Sequence, residues 1–226
     1  IWLSGTLTLP NAAEKSPAIM LVAGSGPNHR DSYHGGHRTF KVLADHLTKL
    51  GYVVLRSDKR GVYKSSGRFA DANLNDFVRD TQAAVQFLKS HERVDPNNVL
   101  LIGHSEGSLV SIMAAETEKV QGVISLAGPG MSVLDILLLQ DQTEPAAKGA
   151  TEEETDILLT FSERFYNILL STPSAKQRKK EVISLYENLV GKEAEVIAKW
   201  VNRNNGTLSI ESAASDSFYS FLQQNP

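Results

Sequence analysis

The chain has 226 residues, 41% of them apolar and 22% charged, with no cysteine. Its 23 Lys and Arg against 26 Asp and Glu leave a net charge of −3 at pH 7, a balance that argues against binding driven by nucleic-acid phosphates. The lack of thiols excludes disulfides, thiolate metal ligands and a cysteine nucleophile, and no apolar run approaches the roughly 20 residues of a membrane-spanning helix.

A chain of this length can bury a core without covalent staples. It starts at Ile1 rather than Met, so a preceding segment is expected to be missing, and any signal peptide would fall within it. Compartment is not legible, and self-association into a homo-oligomer is left open.

The first 130 residues alternate between strand and helix patterns. Thr6 to Leu9 reads as a short strand ending at Pro10, and Ala18 to Val22 as a strand buried on both faces, closed by Gly24-Ser25-Gly26-Pro27. Phe40, Leu43, Ala44 and Leu47 recur at helical spacing, with Gly51 as the stop. Tyr52 to Arg56 is the next strand, Gly61 to Arg68 a loop, and Asn73 to Ser90 a helix. Val99 to Ile102, Ser105 to Glu116 and Val123 to Leu126 then read as strand, helix and strand. Strands joined by helices of this length imply right-handed crossovers and a mostly parallel sheet.

Beyond a break near Gly128-Pro129-Gly130 the pattern turns helical, with only a weak strand signal at Leu208-Ser209-Ile210. Thr151 with Glu154 forms a capping box, followed by Leu158, Phe161, Phe165, Ile168 and Leu169. Ser174 to about Asn202 reads as one or two more amphipathic helices, and the cluster Lys176, Arg178, Lys179 and Lys180 as a solvated face. The expected division is an α/β layer over 1–130 and a helical segment over 131–226.

The sharpest chemical signal is Gly103-His104-Ser105-Glu106-Gly107, flanked by a strand and a helix. It matches the Gly-x-Ser-x-Gly elbow, which lifts a serine hydroxyl above the sheet on a strained turn. A Cβ two residues to either side would clash where strand and helix approach. The helix N-terminus there favours a developing oxyanion.

The glycine-rich turn after the second strand, Ala23 to Asp31, falls beside the elbow at the carboxyl ends of the strands. Acyl transfer needs a second N–H aimed at the oxyanion. The Ser25 amide, with Gly26 as alternate, complements the Glu106 amide. A phosphate-binding reading fails, because Gly24-x-Gly26 lacks the third glycine of a dinucleotide turn and the lysine of a P-loop.

On these motifs the chain resembles the α/β-hydrolase superfamily of serine hydrolases, and within it bacterial carboxylesterases related to serine peptidase-like hydrolases. The resemblance runs through Leu7-Thr8-Leu9-Pro10, Gly24-Ser25-Gly26-Pro27-Asn28-x-Arg30-Asp31, Val42 to Leu47, Asp58-Lys59-Arg60-Gly61-Val62-x-Lys64-Ser65 and Gly103 to Gly107. It extends more loosely over 131–226, which resembles the helical cap of such esterases.

The resemblance implies a small-molecule ester substrate, attacked by Ser105 and held between sheet and cap. Leu137, Leu138, Phe161, Phe165 and Trp200 are loose candidates for pocket walls, each read first as a packing residue. Asp58, Arg60 and Gly61 resemble the family's structural turn, with pocket shaping as the alternative, and Arg30 with Asp31 reads as a loop-bracing pair. Neither a cofactor nor a metal is expected; His34-x-x-His37 falls in a glycine-rich loop. A peptidase or thioesterase on the same scaffold is the rival within enzymes.

The departure lies in the base. A serine hydroxyl needs a general base oriented by an acid, in the chain order Ser, Asp or Glu, His. The six histidines are His29, His34, His37, His46, His91 and His104; none follows Ser105. Three readings stand. The acid, the base and the last strands lie beyond Pro226; or one of His29, His34 and His37 serves as base; or the protein is a non-catalytic binding module on the hydrolase fold. The order of elements accounts for about six strands and a cap.

Overall fold

The computed structural model describes residues 1–12, 14–202 and 207–224. The chain divides into two compact units, Ile1–Pro129 and Gly130–Pro226.

The first unit is built on a five-stranded sheet. Its elements are β1 (Gly5–Thr8), β2 (Ser16–Val22), a hairpin of β3 (Tyr33–His34) and β4 (His37–Arg38), α1 (Thr39–Lys49), β5 (Val53–Ser57), α2 (Leu74–Ser90), β6 (Val94–His104), α3 (Glu106–Ala115) and β7 (Gly122–Leu126). The sheet order is β1-β5-β2-β6-β7. β1 runs antiparallel to β5, and the remaining pairs are parallel. Where about six strands were expected, the main sheet thus has five, and the other two strands pair only with each other.

The continuous apolar run in β2 is explained by its central place. Ala18 to Leu21 are buried, as a parallel strand covered on both faces requires. Ile19 and Leu21 alternate to one face, where they pack with Val54 and Ile102 against Phe40 and Ala44 of α1. α1 ends at Gly51, whose φ of +98° provides the left-handed stop. α2 begins with a capping box in which Asn73 Oδ1 accepts from the Asp76 amide and Asp76 Oδ2 from the Asn73 amide.

β6 is longer than its apolar run Val99 to Ile102. The register slips between Ser16–Val94 and Ala18–Val99, leaving Asp95 to Asn98 as an irregularity. There the Asp95 carboxylate accepts from the Asn97 amide and the Asn98 side chain.

The second unit is helical: α4 (Val133–Ala147), α5 (Glu152–Ser171), α6 (Ala175–Glu187), α7 (Gly191–Trp200), α8 (Ile210–Ala214) and α9 (Asp216–Gln224). The Thr151–Glu154 capping box forms at the start of α5. Leu137, Leu158, Phe161, Phe165, Leu169, Val182 and Ile197 make the unit's own core.

Two sequence expectations are corrected here. Leu208-Ser209-Ile210 is not a strand: Ser209 caps α8, its Oγ accepting from the Ser212 amide at 3.0 Å. Arg178 leaves the solvated basic face. It is fully buried, donates to the Ala213 and Thr172 carbonyls, and pairs with Asp216 at 2.7 Å. Phe161 and Phe165 are core residues of the helical unit with no exposed surface. Leu138 and Trp200 are half-buried against the same core, and Trp200 also lines an open cavity of about 600 Å³ with Tyr186, Leu189 and Ile197. Asn225 and Pro226 lie outside the described residues.

Candidate active site

β2 and β6 are in register at their carboxyl ends, with Leu21 opposite Ile102 and Val22 opposite Gly103. The turn after β2 and the turn after β6 therefore emerge side by side, where open α/β sheets place their sites.

The second of these turns is sharp. Ser105 carries φ 53° and ψ −125° directly before α3, a conformation non-glycine residues rarely adopt and one that marks functional strain. Its amide donates to the Leu126 carbonyl at 2.9 Å, tying the elbow to the end of β7. The glycines on either side are demanded by contact. A Cβ on Gly103 would lie 2.2 Å from the Gly107 carbonyl oxygen, and one on Gly107 would lie 2.2 Å from that of Val22.

Ser108 and Ser111, both buried, satisfy the tight turn by donating to the Gly103 and Gly107 carbonyls, each at 2.7 Å. Ser105 is half-buried. Glu106 is the first helical residue, and its N–H has no intrahelical acceptor.

The turn after β2 presses on this elbow. A Cβ on Gly24 would lie 3.1 Å from Ser105 Cβ and from the His104 ring, so a side chain there would push the two turns apart by a few tenths of an ångström. The Asn28 side-chain amide gathers the carbonyls of this turn, donating to Gly24 at 3.0 Å and Ser25 at 2.7 Å. Because a trans peptide directs its C=O and N–H oppositely, the N–H groups of Ser25 and Gly26 face away from Asn28.

Charged residues fix this turn to the end of β5. The Asp58 carboxylate is fully buried and accepts from the Arg30 amide at 2.8 Å and from Arg30 Nε and Nη2 at 3.0 and 2.6 Å. Burial alone would push the Asp58 carboxyl up, but the Arg30 side-chain and backbone hydrogen bonds outweigh it and hold it below the usual carboxylate range. Asp31 pairs with Arg56 of β5.

Arg30 and Asp31 thus brace the loop, but each through a partner near the end of β5 rather than through one another. Arg60 reaches the other way, to Asp76 and Asp80 of α2 at 2.7 and 2.6 Å, which ties the 58–61 turn to that helix. Sequence reasoning left Lys59 without a role. Its Nζ donates to the Gly24 carbonyl at 2.6 Å and to Glu106 Oε1 at 2.9 Å.

The upstream histidines are placed otherwise. His29 Nδ1 accepts from the Asp31 amide at 3.2 Å, and His34 and His37 face each other across the exposed β3–β4 hairpin. Among the described residues no histidine bonds the Ser105 hydroxyl, and no cluster of three or more His, Asp or Glu gathers as a metal site. No helix among them is long and apolar enough to cross a membrane.

A mostly parallel sheet whose third parallel strand ends in a glycine-flanked, strained serine defines an α/β hydrolase. The family model described as serine aminopeptidase, S33, matches residues 32–203, and the chain belongs to that family. It is 33% identical over 135 residues to Esterase EstD of Thermotoga maritima, a match covering 60% of this chain and 32% of EstD.

Among solved structures, DcsB in complex with its substrate analogue aligns with a TM-score of 0.50 at 18% identity, over 66% of this chain and 50% of DcsB, a likeness of fold. Est1E of Butyrivibrio proteoclasticus, solved with ferulic acid bound, aligns with a TM-score of 0.47 at 26% identity, over 66% of this chain and 54% of Est1E. The chain thus spans about a third of the curated relative and about half of these solved ones.

Proposed function

We infer that this chain carries the nucleophile and oxyanion hole of a serine esterase acting on small carboxylic esters. The observation that carries the reading is the strained Ser105 with the Gly24–Ser25 turn packed against it. Ser105 Oγ attacks the ester carbonyl carbon, and the carbonyl oxygen becomes an oxyanion held by the Glu106 and Ser25 amides, with Gly26 as the alternate donor. The tetrahedral intermediate collapses with loss of the alcohol, which takes up the proton released by Ser105. Water then attacks the acyl-enzyme and releases the carboxylic acid.

The proton must pass through a base. No histidine follows Ser105 in this sequence, and His29, His34 and His37 are engaged or exposed elsewhere, so the reading assigns the base and its orienting acid to residues following Pro226. The partial coverage of EstD and of the solved relatives supports this. The helical unit is assigned the role of cap, supported by a family match that runs through residue 203.

A second reading, a peptidase, is favoured by the family's description; the esterase name of the curated relative favours the first. Turnover by the full-length protein of 4-nitrophenyl acetate and butyrate, set against aminoacyl 4-nitroanilides, decides. The esterase reading expects kcat/KM on the esters to exceed that on the anilides by at least about 100-fold. A preference for the anilides would replace it with the peptidase.

A further inference from the structure

We propose that Lys59 is the positioning residue of the oxyanion hole, a single ammonium bonded both to the peptide that carries the Ser25 N–H and to the side chain of Glu106, whose amide is the other donor. This rests on the reading of Ser105 as nucleophile. Lys59 follows the buried Asp58 at the end of β5 and has a side chain only 9% exposed. Its Nζ donates to the Gly24 carbonyl at 2.6 Å and to Glu106 Oε1 at 2.9 Å, and lies 4.4 Å from the centre of the Phe77 ring, a cation–π contact that secures it further. Its own amide donates to the Asn28 carbonyl at 3.1 Å, so both ends of the residue hold the same turn.

The Gly24 carbonyl belongs to the peptide whose N–H is that of Ser25. A cation bonded to that oxygen does two things. It aims the Ser25 N–H to the opposite side, away from Lys59 and Asn28. It also polarises the peptide, and a polarised peptide is a stronger donor at its N–H. The second bond acts on the other donor. Glu106 is the first residue of α3, so its carboxylate competes for the positive end of the helix that should serve the oxyanion. Pairing with Lys59 neutralises that charge and anchors the residue whose amide is the first donor. A surface ion pair would do neither: this one links the turn after β5 to the turn after β2 and to the start of α3, on either side of Ser105.

The test uses the full-length enzyme with Lys59→Met, Lys59→Arg and the double variant Lys59→Met/Glu106→Gln. It reads kcat and KM on 4-nitrophenyl butyrate, the inhibition constant of an alkyl trifluoromethyl ketone (which forms an oxyanion adduct on an activated serine), and amide exchange over residues 23–29. Loss of one oxyanion donor costs about 10²–10³-fold. Misaiming one should therefore lower kcat in Lys59→Met by roughly 10- to 100-fold with KM within threefold.

The ketone should weaken by the same factor as kcat falls, and exchange over 23–29 should accelerate about tenfold or more. Lys59→Arg should stay within about fivefold of wild type, and the double variant should regain part of the lost kcat. A Lys59→Met enzyme with kcat and ketone affinity within twofold of wild type overturns the proposal, as does a kcat loss with unchanged ketone affinity. If Lys59→Met does not fold, Lys59→Gln takes its place with the same outcomes. If the wild type hydrolyses no ester, it is the esterase reading that fails; the exchange measurement still decides the brace, since unchanged exchange over 23–29 overturns it.

Discussion

Replacing Gly107 by Ala adds one methyl group at the tightest point of the elbow. The new Cβ would stand 2.2 Å from the Val22 carbonyl oxygen and 2.7 Å from that of Ala23, where ordinary contact begins at 3.4 Å. Both neighbours are backbone at the end of the central strand β2, so no side chain can rotate away. Relief requires α3 and β2 to part by about 1 Å. Overpacking of this kind costs about 3 kcal/mol, which for a chain of this size lowers Tm by roughly 6–12 °C. The same shift should cut ester turnover by about 100-fold, because it moves Ser105 relative to the Gly24–Ser25 turn.

Gly122→Ala is the matched control. Its Cβ would meet only Leu100 Cδ2, at 3.7 Å, and stability should change by less than about 0.5 kcal/mol. Thermal unfolding of both variants beside wild type decides. A Gly107→Ala protein that melts within 2 °C of wild type and keeps its turnover would refute the argument that contact dictates this glycine.

Two further predictions concern ionisation. Asp58 is held below the usual carboxylate range by Arg30, so its contribution to stability is present above the unfolded-state pKa and lost as pH falls through the folded one. Asp58→Asn should cost about 3–5 kcal/mol at pH 7, the loss expected when one partner of a buried pair is removed. It should also flatten the acid limb of the unfolding curve, measured by urea titration from pH 7 to 3.

Asp141 on α4 behaves oppositely. Burial, opposed by the Tyr166 hydroxyl that donates to it at 2.9 Å, pushes its carboxyl up to about 6. Its raised pKa favours the folded state fully below the unfolded value, and that contribution fades as pH rises through about 6. Denaturant titration at pH 4.5 and 8 should therefore show a stability difference of up to about 2 kcal/mol from this group, and Asp141→Asn should abolish it. A pH dependence unchanged in the variant would place the titration elsewhere.

How much of this was legible in the sequence follows from locality. The elbow is five consecutive residues between an apolar strand and a helix, and its geometry is dictated by contacts within and beside that segment. The Thr151–Glu154 capping box is likewise complete within four residues. Within the expected helical segment the bounds of α4 escaped, because Val133, Leu134 and Ile136 to Leu139 crowd one stretch without a helical period, and Pro145 lies inside it.

The polar irregularity Asp95 to Asn98 in β6 hid the first part of that strand. Arg30 and Asp31, adjacent in sequence, invited a pairing that the structure divides between Asp58 and Arg56, because neighbouring side chains on a turn diverge. Lys59 had no local pattern at all: its partners lie 35 and 47 residues away and meet it only through the β5-β2-β6 order of the sheet.

The central claim is that Ser105 is an activated nucleophile, and a fluorophosphonate probe tests it most directly, since only an activated serine reacts readily. Incubation of the full-length protein with the probe, followed by peptide mass spectrometry, should place the adduct on Ser105, with labelling lost in Ser105→Ala. Residues 1–226 alone should label poorly for want of a base. Absence of an adduct on Ser105 in the full-length protein would contradict the account, and rapid labelling of residues 1–226 would contradict the assignment of the base to residues following Pro226.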